Sequence, residues 1–219
     1  MAAIVESKIA QRSSFIFLHG LGDNGSGWSE QLRSIVPDHC RVICPHADPK
    51  PVTLNFGMVM PAWFDIIDLG VDAKEDLEGI KSASKELKRL IEEEIKRNID
   101  PSKIIIGGFS QGGALSLYHA LTEDTHKIGG VVALSTWLLN HKNFMLNQSS
   151  IKGSRNLPIF QAHGAADSLI PLTIGAMTNK LLQTFGFNSA TFKSYQNMQH
   201  SSCDEEMADL KKFLKDRLE

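Results

Sequence analysis

The chain has 219 residues, 42% of them hydrophobic, and a formal charge of -2. That length fits one α/β domain with a sizeable core, and the charge gives no basic excess of the kind that marks a nucleic-acid or anionic-membrane binder. Three cysteines, Cys40, Cys44 and Cys203, make neither an even disulfide framework nor a metal cluster, so the chain reads as cytoplasmic.

Residues 1–13 mix Ala2, Ala3, Ile4 and Val5 with Glu6, Lys8 and Gln11, without the continuous apolar core of a signal peptide, and read as a flexible N-terminal segment before a domain over 14–219. Ser14-Phe15-Ile16-Phe17-Leu18 is a short apolar run that predicts a buried strand. It leads into the glycine-rich loop His19-Gly20-Leu21-Gly22-Asp23, which can turn backbone N–H groups toward one point or, as the alternative, form a simple turn with Gly22 and Gly25 at positive φ. Trp28, Leu32, Ile35 and Val36 then follow helical spacing up to Pro37, and Arg41-Val42-Ile43-Cys44-Pro45 predicts the next strand, with its cysteines as small core residues and His46 structural.

Residues 47–69 form an irregular stretch carrying Pro49, Pro51 and Pro61 with Leu54, Phe56, Met58, Met60, Trp63 and Phe64. A long loop so rich in large apolar groups is read as a wall over an apolar site, and Trp63 and Phe64 as plugs of the core. Asp72-Ala73-Lys74-Glu75 has capping-box form and predicts the start of a helix to about Asn98, with Leu77, Ile80, Leu87, Ile91 and Ile95 along its apolar stripe.

Ile104-Ile105-Ile106-Gly107 followed by Gly108-Phe109-Ser110-Gln111-Gly112 and the helix-like Ala114 to Leu121 give strand, tight turn and helix around G-x-S-x-G. That is the context of a nucleophile elbow, in which a serine hydroxyl is exposed at the end of a buried strand. A serine so placed needs an oxyanion site, whose backbone donors come from the residue after the nucleophile and from an early loop. Gln111 and Leu21 fit those places.

Gly129 to Ser135 predicts another buried strand, and Trp137 and Leu138 after it face the crevice at the strand ends. A polar loop covers Asn140 to Asn156. The strand Leu157 to Ala162 delivers Asp167 to the position of a triad acid. A helix over Ile174 to Thr184, a strand over Ala190 to Tyr195, a loop with His200 and a final helix to Leu218 complete the chain. His163 precedes Asp167, whereas His200 preserves the order serine, acid, histidine and is therefore the base. A serine hydroxyl is a weak nucleophile, an imidazole takes its proton near neutral pH, and an aspartate fixes the tautomer. The reaction calls for no metal and no cofactor.

Five motifs in this order, Leu18 to Asp23, Met60 to Asp65, Gly107 to Gly113, His163 to Asp167 and His200 to Ser202, resemble the acyl-protein thioesterase and lysophospholipase branch of the α/β-hydrolases. The resemblance implies a single-domain α/β-hydrolase fold, a central mostly parallel sheet flanked by helices with no large cap domain. It further implies a serine esterase whose substrates are S-palmitoylated proteins or lysophospholipids, with Ser110, Asp167 and His200 as triad and Leu21 and Gln111 as oxyanion donors. Leu54, Met58, Met60, Trp137 and Leu138 are the candidate acyl groove, and exposed Met58 and Trp137 suit an acyl channel, a dimer contact or transient membrane docking equally. The chain departs from the family pattern in lacking an N-terminal cysteine and the prolines expected after Leu138 and Asp167. The competing expectations are a general short-chain carboxylesterase and a lipid-binding protein with a silent triad.

Overall fold

The computed structural model describes residues 1–70, 72–123 and 127–219. Its centre is a seven-stranded sheet built from β1 (Ala2–Val5), β2 (Ser13–Leu18), β3 (Cys40–Pro45), β6 (Ile104–Phe109), β7 (Gly130–Leu134), β8 (Ile159–Gly164) and β9 (Ala190–Tyr195). The spatial order is β1-β3-β2-β6-β7-β8-β9, and every pairing is parallel except that of β1 with β3. Strand β2 passes the chain to β3 on one side, while β6 to β9 grow away on the other. The direction of winding therefore reverses between β2 and β6, which opens a crevice at their carboxyl ends. The loop after β2 and the turn after β6 meet there.

Alternation along the central strands assigns the two faces. Phe15 and Phe17 pack with Ile105, Val132 and Phe160 against α1 (Ser26–Ile35) and α6 (Asp204–Leu218), whereas Ile16, Leu18, Ile104 and Ile106 pack against α2 (Leu77–Lys96) and α3 (Gln111–Thr122). A sheet covered on both faces must be apolar throughout, hence the near-continuous hydrophobic runs that make these strands visible in the sequence. Helices α4 (His141–Leu146) and α5 (Leu172–Thr184) complete the layer arrangement expected of an α/β-hydrolase.

Four expectations need correction. Residues 1–13 do not precede the folded unit, because Ala2–Val5 pair with Val42–Pro45 and His46 N–H donates to the Met1 carbonyl (3.0 Å). The stretch 47–69 contains a two-stranded hairpin, β4 (Pro49–Val52) and β5 (Met58–Pro61). Its prolines fit because a two-stranded ribbon leaves half of its N–H positions without a ladder role. Helix α2 starts at Leu77 with Asp76 as its cap, accepting from Gly79 N–H (2.9 Å), while Asp72 pairs with Lys142 and Glu75 accepts from Asn140 N–H. The two carboxylates of the expected capping box are thus taken by the segment around α4. The stretch Asn140 to Asn156, expected as a polar loop, contains the helix α4 (His141–Leu146); in the loop after β2, Gly22 has a positive φ of 78° and Gly25 is right-handed at -63°.

Trp63 and Phe64 are buried in the core as expected. Cys40 and Cys44 are buried as well, and burial pushes both thiols up to about 12, which leaves them unreactive packing groups. His46 Nδ1 accepts from Gly25 N–H (3.0 Å), a structural contact.

Candidate active site

Ser110 occupies the turn between β6 and α3 with φ 51° and ψ -118°, a region that a side chain enters only at a cost of about 1–3 kcal/mol. The glycines on either side make the turn possible. A Cβ on Gly108 would lie 2.3 Å from the Gly112 carbonyl carbon, and one on Gly112 would lie 2.2 Å from the Leu18 carbonyl oxygen. The turn is also bonded from its neighbour: Ser110 N–H donates to Leu134 O (2.8 Å), and the Thr136 hydroxyl donates to Ser110 O (2.7 Å).

Asp167 and His200 meet across the ends of β8 and β9. His200 Nδ1–H donates to Asp167 Oδ2 at 2.7 Å, and the opposite oxygen, Oδ1, accepts the N–H groups of Leu169 (2.9 Å) and Ile170 (2.8 Å). The carboxylate is buried and its orientation is fixed by three donors. The His200 ring packs on Phe109, centroids 4.7 Å apart, so the imidazole rests on the residue immediately before Ser110. With Nδ1 committed to Asp167, Nε2 is the nitrogen left for chemistry.

His163 lies on the inner side of the same carboxylate. It is fully buried, its Nε2 donates to Ile170 O (2.8 Å) and lies 3.6 Å from Asp167 Oδ2, and burial lowers its basicity below the ordinary histidine value. It is therefore a neutral scaffold group, in keeping with the chain-order argument that set it aside.

Leu21 and Gln111 belong to different elements that the fold brings side by side. A Cβ on Gly20 would stand 3.1 Å from the Phe109 ring and 3.5 Å from Ser110 Cβ, so the loop after β2 runs against the elbow. Among the described residues, neither the Leu21 nor the Gln111 N–H has an acceptor.

Residues 1–218 match the model of a family described as phospholipase/carboxylesterase. The chain belongs to that family. Acyl-protein thioesterase 1 of Debaryomyces hansenii is 43% identical over 216 residues, covering 94% of this chain and 92% of the relative. Acyl-protein thioesterase 1 of Gibberella zeae is 40% identical over 215 residues, covering 94% and 91%. The crystal structure of Zea mays acyl-protein thioesterase 2 superposes with a TM-score of 0.89 at 29% identity over 100% of this chain and 99% of that one. Arabidopsis thaliana SOBER1 superposes at 0.87 with 28% identity over 95% and 100%.

Within this member of the phospholipase/carboxylesterase family, the five groove candidates separate. Trp137 and Leu138 line a slot together with Leu69, Leu169, Ile170 and Met177, and Asp68, Glu75 and His141 line it as well. Leu54 and Met60 are partly buried against the core instead, and Met58 is 64% exposed on the hairpin, so none of these three lines the slot. The sequence signal for the missed wall is the run Leu169-Ile170-Pro171 directly after the acid, apolar residues where a polar surface loop is the usual case.

Proposed function

We propose that the chain is a serine hydrolase of the acyl-protein thioesterase type, with Ser110 as nucleophile, His200 as base, Asp167 as acid and the N–H groups of Leu21 and Gln111 as oxyanion donors. The observation that carries this reading is the 2.7 Å Asp167–His200 pair resting on Phe109, one residue from a serine held at positive φ. The likeness to thioesterases at 40–43% identity supports the substrate class.

In the proposed reaction, the Ser110 oxygen adds to the thioester or ester carbonyl carbon while its proton passes to His200 Nε2. The two N–H groups hold the tetrahedral oxyanion. Its collapse expels the thiol or alcohol, which takes the proton from His200, and leaves an acyl-enzyme. Water then adds with His200 again as base, releasing the fatty acid and restoring Ser110. Asp167 keeps the Nδ1–H tautomer and stabilises the imidazolium. The slot beside Trp137 and Leu138 would take the alkyl chain against its apolar residues Leu69, Leu169, Ile170 and Met177.

S-palmitoylated proteins and lysophospholipids are presented at membranes. The hairpin offers a surface for transient contact, since Phe56 is fully exposed at its turn with Met58 (64%) and Val59 (65%) beside it. Among the described residues no helix is long and apolar enough to cross a bilayer. Three free cysteines agree with a cytoplasmic setting.

The test is hydrolysis of a palmitoylated cysteine peptide, a lysophospholipid and a short-chain ester by wild type and Ser110→Ala. Thioester cleavage by wild type and none by a folded Ser110→Ala is expected. Activity confined to the short ester would make the chain a general carboxylesterase. Full turnover by the variant would remove Ser110 from the mechanism. Co-sedimentation with phosphatidylcholine vesicles, lost in Phe56→Ser/Met58→Ser, checks the hairpin contact.

A further inference from the structure

Two donors that converge on one oxygen are useful only if each is held within about 0.5 Å of its productive position, and here they sit on separate elements. We propose that the Gln111 side chain and the Trp63 indole are positioning residues, a brace that fixes the loop carrying Leu21 against the elbow carrying the Gln111 N–H. The proposal rests on the assignment of those two N–H groups as the oxyanion site.

The brace is the short segment Pro61 to Phe64, bonded on both sides. Toward the elbow, Gln111 Oε1 accepts from Trp63 N–H (3.0 Å) and Gln111 Nε2 donates to Phe64 O (2.8 Å). Toward the loop, Trp63 Nε1–H donates to His19 O (2.9 Å) and Gly22 N–H donates to Pro61 O (2.8 Å). Leu21 thus lies between two residues, His19 and Gly22, that are each tied to this segment. His19 is itself locked: Nδ1–H donates to Gly20 O (2.7 Å) and Nε2 accepts from Ala47 N–H (3.0 Å), so its neutral tautomer is set by its partners.

Gln111 is fully buried and Trp63 nearly so, which makes each bond costly to leave unmade. The amide is specific to the task. It accepts at one atom and donates at the next, in the pattern of the peptide edge that it meets at residues 63 and 64. A glutamate would lose the donor, and a methionine both. Core filling alone would be served as well by an aliphatic residue.

The test uses Gln111→Met, which keeps the backbone N–H and the volume, and Trp63→Phe, which keeps a ring and deletes only the indole N–H. Leu87→Ala in α2, a buried change at a residue that makes none of these hydrogen bonds, is the control for lost stability. For both brace variants kcat is expected to fall on the order of 10- to 100-fold, below the about 10²- to 10³-fold for outright loss of a donor. KM should stay within about twofold, and affinity for a trifluoromethyl ketone, whose adduct carries the oxyanion, should fall by the same factor as kcat. The Leu87→Ala control should lower the melting temperature and leave kcat alone. Unchanged kcat in Trp63→Phe, or a kcat loss matched by the control, would overturn the brace, and Trp63→Phe decides if Gln111→Met does not fold. Failure of the proposed serine-hydrolase mechanism itself is separable, because Ser110→Ala would then remain active.

Discussion

Replacing Glu206 with glutamine should make the protein more stable at neutral pH. Glu206 lies on the first turn of α6, is fully buried, and neither of its side-chain oxygens has a hydrogen-bond partner. Burial pushes its carboxyl up from the ordinary 4.5 to about 8. Between those values the unfolded chain gives up the proton while the folded protein keeps it. The stability that comes from holding the proton is complete below the lower value and is lost as pH rises toward the upper one. At about 1.4 kcal/mol per pH step, the loss reaches about 3 kcal/mol at pH 7. That is a large share of a typical total of about 5–15 kcal/mol. Glutamine has the same size and no proton to lose, so Glu206→Gln and wild type should match near about pH 4.5 and diverge steadily to about pH 8. Urea unfolding of both proteins across that range measures the gap. A constant difference at every pH would show that Glu206 does not hold its proton in the fold, and would refute the reasoning.

Asp167→Asn should cost about 10⁴-fold in kcat with the fold intact, because the oxygen would stay with the Leu169 and Ile170 N–H groups and the amide would donate to His200 Nδ1. That sets the tautomer with hydrogen on Nε2, which cannot take the serine proton; kcat within tenfold of wild type would remove Asp167 from the triad. Gly112→Ala places a methyl 2.2 Å from the Leu18 carbonyl oxygen, backbone that cannot yield, so a loss of at least about 1–3 kcal/mol and of activity is expected. A melting temperature equal to wild type would contradict the close approach of elbow and β2.

What could be read from the sequence was carried by short-range pattern. The runs at Phe15, Val42, Ile105 and Val132 announce strands because a sheet buried on both faces leaves no polar position. The proposed nucleophile Ser110 stands out through its flanking glycines, and the proposed acid and base, Asp167 and His200, through their order after strand-like segments. The misses share a physical cause, since each was decided by a distant partner. Ala2–Val5 is too short to declare itself and is a strand because β3 lies beside it. Asp72 and Asp76 both have cap chemistry, and the cap is Asp76, whose second oxygen also accepts from the distant Asp65 N–H (3.0 Å). Glu94 stands at i+3 from Ile91 and i+7 from Leu87, so it lies on the apolar stripe of α2. There it is buried against Arg41 and accepts from Ser14 Oγ (2.6 Å) and Gln11 Nε2 (2.7 Å), partners no local pattern reveals.

The same dependence on neighbours explains how a site made of four loops stays rigid. Beyond each strand end the backbone bonding continues sideways by one more step. Ser110 N–H donates to Leu134 O (2.8 Å), Ser135 N–H to Ala162 O (2.8 Å), and Ala165 and Ala166 N–H to Tyr195 O (2.9 Å) and Met198 O (3.0 Å). The turn at Ser110 is thereby tied to the strand that leads to Trp137 and Leu138, that strand to the one that leads to Asp167, and that one to the loop with His200. Ser110 and Ser135 both have positive φ, 51° and 46°, at these junctions. Two strained residues at about 1–3 kcal/mol each persist because neighbouring strands fix them on either side. Rigidity in the site therefore comes from the sheet continued past its edge, and the loops inherit their positions from it.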